Sequence, residues 1–196
     1  MRNIDVLQQG LGRRFVKTLT VAILLATVLR TSELHSLQRA RPGEYDVKAT
    51  FLYNFGKFVT WPAASRNRSD FRICILGADP FGVTLDSIVA GEKVEGRAVA
   101  ARRIAKSEES AGCQIVFIGT SEEKRLKDIL EVVGKSGALT VSEIPQFTQR
   151  GGMIGFVLAD GRVRFEVNMT PAERAGLTFS SELLRVATKV QRNTGD

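Results

Sequence analysis

The sequence predicts an α/β fold: a mixed, mostly parallel central sheet flanked by helices, with a C-terminal β-hairpin and helix. Three patterns predict it. Strand-like and helix-like segments alternate between residues 44 and 142, as in βαβ units. Ile115-Val-Phe-Ile118 is an unbroken apolar run, the mark of a parallel strand covered on both faces. Asp160-Gly161 separates two alternating runs, a strong two-residue hairpin signal.

Each element follows in order. Residues 31–43 are polar and aperiodic, and read as a linker ending at Pro42-Gly43. From Glu44 the spacing turns helical: Tyr45, Ala49, Leu52, Phe55 and Val59 share a stripe, joined by Phe51 and Phe58. Asp46, Thr50, Tyr53, Asn54 and Lys57 fall on the other side. Pro62 ends the helix, because a residue before proline, here Trp61, is driven towards extended backbone. After a loop over 63–70, Phe71 to Gly77 reads as a strand. Asp79-Pro80 has the form of an N-cap with proline at the first helical position, predicting a helix to about Ala90. Val94 to Arg103 and Gln114 to Thr120 are the next strands. Thr120-Ser-Glu-Glu123 is a capping box for a helix ending at Gly134. Ala138 to Ser142 is a short strand. Met153 to Ala159 and Arg162 to Asn168 form the hairpin. In its second arm Val163, Phe165 and Val167 alternate with Arg162, Arg164, Glu166 and Asn168, which predicts one polar, wet face. Thr170-Pro-Ala-Glu173 is a second capping box, and a final helix capped near Ser180 buries Leu183, Leu184, Ala187 and Val190.

The chain has 196 residues, suited to one domain, and its 43% hydrophobic and 25% charged composition is that of a globular protein. Its charge is uneven. Six of the 28 Lys and Arg but two of the 21 acids lie in residues 1–40, so the +7 total shrinks to about +3 for residues 41–196. A nucleic-acid partner is therefore not expected of the body. Arg13, Arg14 and Lys17 precede an uncharged run from Leu19 to Leu29. That length fits a secretory signal and is short for a membrane span. Residues 1–40 are thus expected to be signal peptide and linker, with the domain in 41–196. No Ala-x-Ala site follows the run, which leaves an uncleaved anchor as the alternative, and a buried helix as a weaker one. The single histidine, His35, belongs to this segment. A mature body without histidine excludes Ser-His-Asp triads and His-ligated zinc.

Cys74 and Cys113 are the two cysteines. Export would place them where a disulfide persists, whereas cytosolic residence would leave two buried thiols. In a flavodoxin-like strand order their strands are neighbours. Other motifs favour structural readings. Gly91 to Ala98 has the glycine spacing of a phosphate loop but leads into a strand, and Arg97 and Ala98 replace Lys and Ser/Thr. Ser121 and Lys124 match Ser-x-x-Lys without its companion motifs. Glu92 and Glu95 read as a solvated pair, Arg66, Arg68, Arg72, Arg102 and Arg103 as a mixed-charge surface, and Trp61 as core before ligand contact. Gly151-Gly152 reads as tight backbone packing before approach of a ligand. No metal or cofactor is expected.

Lys48 to Pro62, Cys74 to Phe81, Val94-Glu-Gly-Arg97, Cys113 to Ile118, Leu139 to Ser142, Phe147, Gly151 to Ile154, Phe165 to Asn168, Ala175 to Leu177 and Ser180 to Leu184 together resemble the YfiR-like family of periplasmic regulators. The resemblance implies an α/β domain without catalysis. It implies restraint of an inner-membrane diguanylate cyclase through its periplasmic part, with relief by an outer-membrane lipoprotein. Homodimers are known in the family. Some members carry a second disulfide, which two cysteines cannot supply. The role the resemblance implies is therefore a periplasmic regulator that binds an inner-membrane signalling protein, a diguanylate cyclase of cyclic di-GMP signalling or else a sensor. Its docking surfaces are expected on the exposed side of the first helix (Asn54, Lys57) and the polar hairpin face (Arg162, Arg164, Glu166). The rival is a small-ligand binder, with Trp61 and the arginines around a pocket at the strand C-termini. A hydrolase is the weakest reading.

Overall fold

The structure, a computed structural model, describes residues 43–63 and 68–192. The leader and linker expected in residues 1–40, with His35, lie outside the described residues, as does Arg66. Helix α1 (Glu44–Phe58) runs directly into the two-residue strand β1 (Val59–Thr60), ahead of Trp61-Pro62. β1 pairs antiparallel with β9 (Thr178–Phe179) in a small separate sheet.

The main sheet has eight strands: β2 (Asp70–Leu76), β3 (Lys93–Val94), β4 (Arg97–Ile104), β5 (Ile115–Ile118), β6 (Leu139–Ser142), β7 (Ile154–Ala159), β8 (Arg162–Asn168) and β10 (Lys189–Gln191). Their order is β10-β8-β7-β6-β5-β2-β4-β3. β4, β2, β5, β6 and β7 run parallel to one another and β10 runs parallel to β8, while the β3–β4 and β7–β8 pairs are antiparallel hairpins. The period of two sorts the core. Ile73, Ile75, Ile115, Phe117, Leu139 and Val141 point to one side, with the buried residues of α1 and of α2 (Val83–Val89). Cys74, Leu76, Val116 and Ile118 point to the other, against Leu126, Ile129 and Val133 of α3 (Leu126–Lys135). The mixed α/β expectation holds. Cys74 and Cys113 form a disulfide with Cα atoms 5.9 Å apart, within the usual window. Among the described residues no helix is long and apolar enough to cross a membrane.

Several local expectations are corrected. Asp79 does not cap a helix: its Oδ1 accepts from the N–H groups of Phe81 (2.7 Å) and Gly82 (3.2 Å), a self-closed turn, and α2 begins only at Val83. The strand expected from Val94 is two strands, β3 and β4, joined by Glu95-Gly96 with φ of 50° and 79°. That is the left-handed pair a tight hairpin requires. A 3-10 turn over Thr120–Arg125 precedes α3, and the Ser121 hydroxyl accepts from Ala78 N–H (2.9 Å) instead of capping its own helix. Asn168, expected on the wet face of the hairpin, is buried, and it, not Thr170, caps α4 (Met169–Arg174), its side chain accepting from Thr170 N–H. Ser180 does cap α5 (Ser181–Val186), but the helix stops early. Lys189–Gln191 instead join the sheet edge as β10, which leaves Val190 46% exposed.

Candidate functional site

α1 spends one face on the core and keeps another in solvent. Ala49, Leu52 and Phe55 are buried as expected, but so are Lys48 and Tyr53. The Tyr53 hydroxyl donates to Glu92, which turns the ring inward against the helical-wheel expectation. Conversely Phe58, expected in the core, is 41% exposed, and Val47 is 44% exposed. The outer face of α1 borders a groove of about 200 Å³ lined by Phe51, Asn54, Phe55, Phe58, Phe165, Glu182, Leu183 and Val186. A shallower depression of about 310 Å³, lined by Asp46, Val47, Thr50, Phe51 and Asn54, continues it towards the helix start. Aromatic contacts fix the floor: Phe51 lies 5.9 Å from Phe55 and 5.4 Å from Phe165, centroid to centroid, and Phe55 lies 5.9 Å from Phe156. Val186, 61% exposed, forms part of the opposite rim. Adjoining exposed apolar side chains of this kind mark an interaction surface more often than chance exposure does.

The residues singled out in the sequence fall at separate places. Asn54 is half-buried in the middle of the groove. Lys57 is exposed, its ammonium 4.1 Å from the Tyr53 ring centroid. Arg162 and Arg164 are exposed on β8, but alternation puts them on the face of the hairpin opposite Phe165 and the groove. Glu166 is partly buried and accepts from the Thr148 hydroxyl (3.0 Å) and the Gln149 amide (3.3 Å). Trp61 is 1% exposed and packs edge-to-face on Phe71 at 5.5 Å, at the N-terminal end of β2. It therefore lies at the opposite end of the sheet from the strand C-termini.

At those C-termini the loops after β2 and β5 meet. Besides the Ser121–Ala78 hydrogen bond, a Cβ at Gly119 would stand 2.7 Å from the Ala78 carbonyl oxygen. This is the switch point where an open α/β sheet ordinarily admits a ligand, and here backbone fills it. Arg103, one of the basic residues, is held by Asp79 (2.8 Å), Asp86 (2.6 Å) and the Gly82 carbonyl (2.6 Å). Arg72 pairs with Asp70 (2.8 Å), an interaction that holds the Asp70 carboxyl below its ordinary range. Glu92 and Glu95 are both exposed, and each has its own partner: Glu92 accepts from Tyr53 and Glu95 pairs with Arg97 (2.9 Å). At Gly152 a Cβ would lie 2.1 Å from the Phe147 ring, so the glycine serves close packing.

Lys48 is the buried cation of the domain's first turn. It bonds to Glu44 (2.6 Å) and to Glu143 just after β6, and Tyr45 donates to the same Glu143 (3.2 Å). Burial pulls the Lys48 pKa down, yet the hydrogen bonds to Glu143 and Glu44 outweigh it and hold the amine above its ordinary range. A lysine so protonated is a fastener of α1 to the sheet and not a nucleophile. Sequence reasoning missed it because its main partner is 95 residues away. No group of three or more His, Cys, Asp or Glu among the described residues could hold a metal ion.

The model of a family described as YfiR/HmsC-like matches residues 45–188. No curated protein sequence matches the chain. Among similar solved structures is a conserved domain protein from Vibrio cholerae O1 biovar El Tor, at 11% identity and a TM-score of 0.46, over 61% of this chain and 54% of that one. Another is an ABC domain in complex with L-Trp from Streptococcus pneumoniae, at 11% identity and a TM-score of 0.47, over 62% and 55%. The chain spans about half the length of either.

Proposed function

Because the chain belongs to the YfiR/HmsC-like family, we propose that it is a non-enzymatic periplasmic regulator that binds the periplasmic part of an inner-membrane diguanylate cyclase and holds it inactive. The observation that carries the reading to this chain's own residues is the apolar groove on the outside of α1. A regulator needs a surface for a protein and no catalytic pocket. The filled switch point and the interior position of Trp61 count against the small-ligand alternative. The Cys74–Cys113 bridge suits an oxidising compartment. Restraint requires that the regulator bind the inactive cyclase more tightly than the active one; each tenfold preference shifts the balance by about 1.4 kcal/mol. An outer-membrane lipoprotein that occupies this protein would compete for it and relieve the restraint.

The test is deletion of the gene with cyclic di-GMP measured in the cell. A rise reversed by the wild-type gene is expected. Unchanged cyclic di-GMP across growth conditions would remove the reading.

A further inference from the structure

The exposed and half-buried apolar residues of α1 are not scattered. Val47, Phe51, Asn54 and Phe58 follow one another in steps of four, three and four, the spacing of the core positions of a heptad seam. The same helix already buries a complete inner stripe through Ala49, Leu52 and Phe55, and in this second stripe Phe51 and Asn54 are half-buried while Val47 and Phe58 at its two ends stay exposed. Asn54 interrupts it, and its carboxamide makes no hydrogen bond among the described residues. A polar residue inside such a seam sets register at some expense of stability. Across the groove, Val186 and Glu182 of α5 form a second rim. From Val47 to Phe58 the stripe runs roughly 16 Å, about three helical turns.

We infer that this groove receives an amphipathic helix of the protein partner, packed antiparallel to α1 with its own heptad-spaced apolar side chains between α1 and α5. This inference rests on the regulator reading above. Charge chooses the direction. Asp46 stands at the first turn of α1 and Lys57 at its last, and neither has an ion pair among the described residues. An antiparallel helix brings its C-terminal end, which favours basic side chains, to Asp46, and its N-terminal end, which favours acidic ones, to Lys57. A parallel helix would set like charges together at both ends. Glu182 on the far rim accepts a further basic residue.

The probe is a synthetic peptide of about five turns. It carries leucines at the heptad core positions, one central asparagine, glutamates in the first turn and lysines in the last. Its control has two central residues replaced by proline, which forbids the helix. Binding to the purified protein is followed by amide chemical shifts and by anisotropy. Saturable binding is expected, with shifts confined to residues 47–58 and 182–186, and at least about tenfold loss with the proline peptide. Val186→Asp, on an exposed side chain, is expected to cause a similar loss while the protein melts as before. Phe51→Ala is the second variant, with its own melt recorded. Absence of saturable binding, equal binding of the proline peptide, or indifference to Val186→Asp overturns the inference. So does a wild-type dimer that Val186→Asp splits, because a second copy would then cover the groove. The two readings fail separately: if deletion raises cyclic di-GMP and the Val186→Asp gene restores full restraint, the regulator stands and the helix groove falls. Unchanged cyclic di-GMP on deletion removes both.

Discussion

At position 48 an ammonium group is 3% exposed between two carboxylates. Removing the cation leaves Glu143 and Glu44, themselves mostly covered, without compensation, and uncompensated buried charge is among the costliest single changes. Lys48→Met is expected to lower unfolding free energy by about 2–3 kcal/mol in urea titration at neutral pH. The sign of its pH dependence follows from the raised folded pKa. The stabilisation drawn from the lysine's charge is complete below the ordinary lysine range and is lost as pH climbs through the folded value, so raising the pH from neutral into strong alkali is expected to narrow the gap between variant and wild type. A gap that stayed constant from neutral pH through strong alkali would contradict this account. Gly152 tests packing in the same way. Phe147 is 2% exposed and its ring occupies the space of a Cβ, so Gly152→Ala is expected to cost about 1–3 kcal/mol in the same titration. Unchanged stability would mean that the ring can move aside. Neither residue announces itself in sequence: a lysine at a helical position reads as surface, and a Gly-Gly pair does not say what approaches it.

For the elements, the decisive case is α1, whose boundaries were legible and whose faces were only half so. Pro62 fixed the end of the helix and the spacing of Ala49, Leu52 and Phe55 fixed its inner stripe. The wheel could not sort Phe51, Phe58 and Tyr53, because their exposure depends on where α5, β8 and Glu92 come to lie. Energetics should separate the two stripes. Phe55→Ala empties a core site and is expected to cost about 3–5 kcal/mol. Phe58→Ser, on the outer seam, is expected to cost only about 1 kcal/mol, well below the core change. Chemical denaturation of both variants checks this, and a large loss for Phe58→Ser would return that residue to the core. The capping errors share one cause. Asp79, Ser121 and Thr170 all belong to cap-like strings, but the hydrogen bonds available nearby were better: a self-closed turn at Asp79, the Ala78 N–H for Ser121, and Asn168 already in place ahead of Thr170. Local strings name candidates for a cap, and the tertiary neighbours choose among them.

Over the whole molecule, the alternation of segments and the unbroken Ile115–Ile118 run made the parallel sheet legible, and the parallel sheet in turn places Cys74 and Cys113 close together. The filled switch point was not legible, since it depends on two loops 40-odd positions apart meeting at Ala78 and Ser121. The disulfide is where chain-wide connectivity becomes a measurable energy. Cys74 sits in β2, the strand hydrogen-bonded to both β4 and β5, and Cys113 lies just before β5 at a sequence separation of 39. Closing a loop of that length removes about 4 kcal/mol of unfolded-chain entropy in the simplest model. Both sulfurs also belong to the core against α3, so their loss adds a smaller packing cost. A Cys74→Ala/Cys113→Ala variant is therefore expected to unfold at lower urea, with at least about 4 kcal/mol less stability than the oxidised wild type. Dithiothreitol should carry the unfolding midpoint of the wild type most of the way to that of the variant while leaving the variant where it is. Equal stability of variant and oxidised wild type would show that the sheet, already paired on both sides of β2, draws nothing from the bridge.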